Sequence, residues 1–354
     1  MPLLTRQVGT PLTIDIGPGT VDGLGPLLAD RRISSAGHVA VIVGPGLGEE
    51  IADILRPQLA NGEIWDTAGG SVQAGAELAA RLRAGFYDAV VGIGGGRTID
   101  VAKYAASLSG LPLVAVATSL SHDGIASPVA SLEDDERGRK SSYGVQMPIA
   151  VVVDLDYVRR SEPAMRRSGI GDVISNLSAI ADWRLGARER GEEVDGVAVT
   201  FARIAATSIV HREDGIDDDG FLIALAESLV LSGLAMATAG SSRPCSGGDH
   251  EILHAIDHLF PGTANHGELA GAASLFTSFL HGDDGLTLGI NACLARHALP
   301  RTPRDLGLTT DQWVQAVLAA PGTRPDRFTI LEHLALDEAG VRRAVAEFLD
   351  AYGR

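Results

Sequence analysis

The chain is 354 residues long, enough for two domains that each bury a core, and its 45% hydrophobic content is ordinary for a globular protein. Its net charge of −16 argues against nucleic acid and anionic membranes as partners, and its two cysteines, Cys245 and Cys293, build no disulfide framework. The start M-P-L-L-T-R-Q-V-G-T-P is not a signal peptide, and no run of about eighteen apolar residues is present, so the expectation is a soluble cytoplasmic protein without a membrane span.

The first half alternates strand-like and helical patterns. His38–Val43 is an apolar run that ends in Gly44-Pro45-Gly46, and Asp88–Ile93 is another that ends in glycines. Leu113–Ala117 ends in Thr118-Ser119, and Ile149–Asp154 is a fourth run. Continuous Val/Ile/Ala runs separated by helical stretches, here 47–58 and 98–109, predict buried parallel strands in βαβ units. The expected fold is therefore an α/β N-terminal nucleotide-binding domain over residues 1–160, doubly wound or close to it.

Gly92-Ile93-Gly94-Gly95-Gly96-Arg97-Thr98-Ile99-Asp100 follows a predicted strand and opens a predicted helix. Glycines there let the backbone approach a ligand, and the N–H groups at the helix start suit a pyrophosphate. A tight strand-to-helix turn explains the same glycines without a ligand. The next strand ends in Thr118-Ser119-Leu120-Ser121-His122-Asp123-Gly124-Ile125-Ala126-Ser127-Pro128, a loop dense in small hydroxyls. Such loops at the carboxyl ends of parallel strands hydrogen-bond ribose, phosphate and amide groups.

Beyond about residue 160 the chain reads as helices only, over 163–189, 194–211, 220–239, 249–259, 267–281, 286–298, 310–319 and 338–352. Residues 161–354 are thus expected to form an all-α C-terminal domain, with a ligand site in the cleft of the two domains. Within it, His250 and His254 lie four residues apart on one helix face, and His266 follows beyond a P-G-T turn, next to Gly267-Glu268. That pattern brings neutral nitrogen ligands to one divalent metal; a hydrated helix end with satisfied histidines is the alternative. Asp172, in G-D-V-I-S-N, supplies the carboxylate that completes a catalytic metal set with an open position.

Taken together, G-G-G-R-T-I-D-V-A-K, T-S-L-S-H-D-G-I-A-S-P, G-D-V-I-S-N, S-S-R-P-C-S-G-G-D-H and H-G-E resemble the glycerol-1-phosphate dehydrogenase family. That family sits in the superfamily of glycerol dehydrogenases, iron-containing alcohol dehydrogenases and dehydroquinate synthases, and the resemblance spans residues 35 to 275. It implies a zinc-dependent oxidoreductase of phospholipid biosynthesis, a homo-oligomer that interconverts dihydroxyacetone phosphate and sn-glycerol 1-phosphate with NAD or NADP. Cofactor contacts would come from Gly95, Gly96, Arg97, Thr98, Ile99, Asp100, Thr118, Ser119, Leu120, Ser121 and Ser127. Asp172, His250 and His266 would hold the zinc, with Asp172 also touching substrate. Asp123 and His254 would meet the substrate, which removes His254 from the metal, and His258 is left as a solvated helix residue.

Three departures stand out. Arg97 replaces a common lysine, Cys245 replaces a small residue in the stretch where Gly248-Asp249 replaces Ser-Glu, and Glu63-Ile64-Trp65-Asp66 gives no cue separating NAD from NADP. The alternatives are a glycerol dehydrogenase-like polyol or sugar-phosphate dehydrogenase, a dehydroquinate synthase-type cyclase, and a degenerate nucleotide-binding or scaffolding protein. An anionic substrate in so acidic a chain needs a local basic site, for which the R-G-R-K run holding Arg139 and Lys140 is one candidate and a plain hairpin turn the other reading.

Overall fold

The computed structural model describes residues 9–30, 32–59, 61–67, 69–134 and 139–353. The first eight residues, Arg137, Gly138 and the Arg139 side chain lie outside that description. The chain divides into two compact units, residues 1–120 with 124–161, and residues 121–123 with 162–354.

In the first unit the strands are β1 (Thr13–Gly17), β2 (Val39–Val43), β3 (Glu63–Asp66), β4 (Ala89–Gly94), β5 (Leu113–Ala117), β6 (Val129–Asp134), β7 (Arg139–Gly144) and β8 (Ala150–Asp154). Its helices are α1 (Leu24–Leu28), α2 (Leu47–Leu55), α3 (Val72–Gly85), α4 (Gly96–Ser109) and α5 (Leu155–Val158). Six strands form one parallel sheet in the order β1-β8-β5-β4-β2-β3, and β6 and β7 pair as an antiparallel hairpin. The period of two along β2 divides its side chains between two cores. Val39, Val41 and Val43 join a cluster with Ile51 and Leu55 of α2, whereas Ala40 and Ile42 join one with α3 and α4. The sheet is thus covered on both faces, which is the doubly wound arrangement.

The loops leaving β2 and β4 head for opposite faces, towards α2 and α4, although the two strands are neighbours. In doubly wound sheets such a switch point opens the ligand crevice at the strand ends. The Gly44 N–H donates to the Ile93 carbonyl at 2.9 Å, so the two glycine loops sit side by side. Gly94 adopts φ 154°, and a Cβ on it would lie 2.9 Å from Thr98 Cβ; a Cβ on Gly44 would lie 2.2 Å from Thr98 Oγ1. Both positions need glycine for the turn itself.

Lys103 is wholly buried in α4. Its ammonium contacts the Asp100 carboxylate at 2.9 Å and donates to the carbonyls of Gly124 at 2.7 Å, Ser127 at 3.3 Å and Val129. Asp100 also accepts the Ser131 N–H at 3.1 Å. One buried pair therefore fixes residues 124–131 to α4.

The second unit is helical: α6 (Pro163–Arg190), α7 (Gly196–Val210), α8 (Asp219–Ala239), α9 (Gly248–Leu259), α10 (His266–Leu280), α11 (Asp284–Arg296), α12 (Thr310–Ala319), α13 (Ile330–Leu334) and α14 (Glu338–Tyr352). Aspartates start several of them, as N-cap physics favours. Asp195 caps α7, and Asp218, in the G-I-D-D-D-G break, takes the Phe221 N–H at 2.9 Å to start α8. By length and composition α8 is apolar enough to cross a membrane, which the sequence reading missed; 61% of that stretch is buried inside the unit, and it packs along α7 as a core helix.

Replacing Lys103 with Met should leave the Asp100 carboxylate buried without its cation, a change that costs about 3–5 kcal/mol for buried pairs. Urea unfolding of the full chain checks this, and adding Asp100→Asn should restore part of the loss. An unchanged midpoint for Lys103→Met would show that the clamp contributes nothing.

Candidate active site

Two helices that cross at glycines assemble the polar centre of the second unit. A Cβ on Gly171 of α6 would lie 2.0 Å from the Gly267 carbonyl oxygen, and one on Gly267 of α10 would lie 1.7 Å from the Ser168 carbonyl oxygen. Backbone therefore meets backbone, and the residues beside these glycines, Asp172 and His266, are brought face to face. The Gly267 N–H donates to Ser168 Oγ at 3.0 Å, and that hydroxyl donates to the Ser121 carbonyl at 2.9 Å. Residues 121–123 are thereby tied to the helix pair, and the Asp123 N–H donates to Asp172 Oδ2 at 2.8 Å. At the start of α10, Glu268 accepts the Asn265 N–H at 2.9 Å, closing a capping box.

Asp172, His250 and His266 each turn one donor atom to a common point, all within 4.8 Å of one another. Asp172 Oδ1 is 3.3 Å from His266 Nε2 and 3.9 Å from His250 Nε2. Burial works against charge on both Asp172 and His266. Their mutual hydrogen bond and attraction outweigh it, so the carboxyl sits below its usual pKa and the imidazole above. One carboxylate and two Nε2 donors at this spacing suit a divalent cation.

His250 is further oriented by its chain neighbour. Asp249, fully buried, holds His250 Nδ1, and its other oxygen accepts the Gly247 N–H at 3.1 Å and Ser178 Oγ at 3.2 Å. With the ring proton held on Nδ1, Nε2 is left as the lone-pair donor, which is the carboxylate–histidine arrangement of metal sites. In the sequence Asp249 reads only as a departure from Ser-Glu; the D-H dipeptide on a helix start was the available signal.

His254 stands beside the cluster and outside it, its ring centroid 6.3 Å from that of His250. Its Nε2 faces Arg324 Nη2 at 2.9 Å. Burial first, and then the Arg324 charge, hold its pKa well below the usual histidine value. The ring is therefore neutral, accepts at Nε2 and carries its proton on Nδ1. His122 approaches His266 with ring centroids 5.4 Å apart. His258 is exposed. Cys245 is buried against the Ser232 carbonyl at 3.4 Å, and burial pushes its thiol far up, so it is an inert neutral group.

The glycine-loop residues belong to the first unit. Gly95 has extended backbone at the start of α4, half-buried, and a Cβ on it would meet only Ser119 Oγ, at an ordinary 3.6 Å. Gly96, Thr98, Thr118, Ser119 and Ser127 are buried, Arg97 is exposed, and the side chains of Ile99 and Leu120 lie wholly in the core. Asp100 is occupied by Lys103 and Ser131, as described above. Ser121 lies with the second unit, beside Ser168. Lys140 is exposed on β7.

Residues 15–161 match the family described as iron-containing alcohol dehydrogenase. A glycerol-1-phosphate dehydrogenase [NAD(P)+] from Methanospirillum hungatei is 36% identical over 98% of this chain and 94% of its own length. Another, from Thermofilum pendens, is 43% identical over 71% of this chain and 72% of its own. Among solved structures, a probable glycerol dehydrogenase from Sinorhizobium meliloti superposes with a TM-score of 0.79 at 21% identity, covering 98% of each chain, which establishes a shared fold.

Gly267→Ala should separate α6 from α10 and cost about 2 kcal/mol or more, with weakened retention of added zinc. Gly289→Ala, at a helical glycine with nothing within 4 Å of the added Cβ, is the control and should not destabilise. Chemical unfolding and metal content after gel filtration read both. Wild-type values for Gly267→Ala would show that the close crossing is dispensable.

Proposed function

The chain belongs to the glycerol-1-phosphate dehydrogenase family, and we propose that it reduces dihydroxyacetone phosphate to sn-glycerol 1-phosphate with NADH or NADPH. The observation that carries this reading is the match along nearly the whole chain to relatives of that name, at 36% and 34% identity over 98% of its residues. The donor set supports it. Asp172, His250 and His266 would hold one zinc ion, and the bound groups would supply Lewis acidity at the ketone oxygen and a hydride from the nicotinamide.

The chain's own residues then have separable tasks. Asp249 keeps His250 Nε2 turned to the cluster. Asp172 would serve the metal through Oδ1, while its Oδ2 accepts the Asp123 N–H and so positions the 121–123 loop. Asp123 and His254 would meet the substrate hydroxyl and carbonyl side, with His254 presenting the proton on Nδ1. Nucleotide would lie at the carboxyl ends of β4 and β5, over Gly95, Gly96 and Thr98 and against Thr118, Ser119 and Ser127. The wider reading is a cytoplasmic homo-oligomer that serves phospholipid biosynthesis.

Substituting Gly95 with Val should weaken NADH binding at least about tenfold, since the added atoms occupy the space of a close backbone approach while the turn itself tolerates a Cβ. Titration of NADH fluorescence reads this, and unchanged affinity would reduce the loop to a turn.

The decisive experiment for the activity is steady-state oxidation of NADH and NADPH with dihydroxyacetone phosphate and with dihydroxyacetone, followed by chiral analysis of the product. The phosphorylated ketone should win in both kcat and kcat/KM, because binding energy from the non-reacting end orients the reacting carbonyl. Comparable rates would move the chain to the glycerol dehydrogenase-like reading. Turnover of neither would leave another polyol or a cyclisation.

A further inference from the structure

The second unit holds a cationic segment that neither the resemblance nor the sequence motifs pick out. Arg324 and Arg327 lie in P-G-T-R-P-D-R-F, just before α13, and both are half-buried. Arg324 reaches the cluster's edge, its guanidinium 2.9 Å from His254 Nε2. Arg327 is held by neutral oxygens, donating to Ser246 Oγ and Ser242 Oγ at 2.9 Å each and to the Ser246 carbonyl. Arg243, a further neighbour of Arg327, is paired with Glu192, which accepts two of its N–H groups at 2.6 and 2.5 Å. Two guanidinium groups are thus gathered beside a neutral imidazole. Burial and then their mutual repulsion lower the pKa of Arg327 to about 10, and burial lowers that of Arg324. Of the two acidic groups near both arginines, Glu251 is pushed up to about 9 by burial and Asp249 is held by His250 Nδ1, so Arg324 and Arg327 concentrate positive charge at one half-buried place, which suits an anion in a chain of net charge −16.

We propose that Arg324, with Arg327 behind it, receives the phosphate of the substrate. The inference rests on the function proposed above and names the part of the site that recognises the phosphoryl end. The order along the site supports it: the candidate metal ligands come first, then His254, then Arg324. A short phosphorylated ketone placed with its carbonyl at the cluster would run past His254 and carry its dianion to the guanidinium. Arginine suits that end, since its planar fork matches a phosphate with two parallel hydrogen bonds. On binding, the Arg324 N–H now given to His254 would be shared with or passed to a phosphate oxygen, which links phosphate recognition to the ring that faces the reacting end.

The test is the ratio of kcat/KM for dihydroxyacetone phosphate to that for dihydroxyacetone, in wild type and in Arg324→Met, with zinc content measured on both. The ratio should fall on the order of 100-fold in the variant, as expected for losing one partner of a charge-assisted contact. Inhibition of dihydroxyacetone turnover by inorganic phosphate should weaken in parallel. Should Arg324→Met not fold, Arg324→Lys is read instead; it keeps the charge, loses the fork, and should lower the ratio about tenfold. A wild-type ratio in the folded variant overturns the assignment and leaves the proposed activity standing. The same holds if the two ketones lose rate in step, which would make Arg324 a support for His254 alone. A wild-type enzyme indifferent to the phosphate would sink both.

Discussion

The contact on which the second unit depends is the crossing of α6 and α10 at Gly171 and Gly267, where each backbone occupies the space a Cβ would need. Close-packed interiors transmit displacement, because neighbours have nowhere to yield. Asp172 and His266 are the adjoining residues in the sequence, so the separation of their backbones is set by the crossing itself. The same contact passes through Ser168 to Ser121 and so to Asp123. A few ångströms of backbone approach thus determine where a carboxylate, an imidazole and a loop meet.

Much of this was legible in the sequence, for identifiable reasons. The four central strands, β2, β4, β5 and β8, are buried on both faces and read as continuous apolar runs. β1 and β3 stand at the two ends of the sheet order, where Asp15, Glu63 and Asp66 are exposed, and an apolar run was never required of them. β6 and β7, rich in Ser, Glu and Asp, offer no apolar run either, and only the hairpin-turn reading of R-G-R-K pointed to them. Helices of the second unit were readable because Asp and Gly mark their ends. The three polar residues that converge were visible by type and spacing together with the family resemblance. Asp249 and Arg324 were not. The first looked like a substitution, and the second meets His254 across 70 residues with no local pattern to announce it.

Electrostatics unites features that look unrelated along the chain. Three buried carboxylates are given several donors each: Asp100 has Lys103 and Ser131, Asp249 has His250, Gly247 and Ser178, and Asp182 has His281 at 2.8 Å and the N–H groups of Gly248 and Ile330 at 2.7 Å; Glu251 is the exception, and burial pushes its pKa up to about 9. Asp182 lies beneath the first turn of α9, and by taking the Gly248 N–H it steadies the helix start that presents His250.

The separation of the crossing glycines in the chain bears on the order in which the molecule is made. Gly171 and Gly267 are 96 residues apart (267 − 171), so their contact closes a loop that contains α7, α8 and α9. Contacts of such range come late, after the intervening chain has lost its freedom. During synthesis Asp172 leaves the ribosome long before either histidine, and it must await them on a partly formed surface. Capture of a metal ion would therefore act as a proofreading step on the last stage of folding: only a chain with α6, α9 and α10 all docked presents the three donors together.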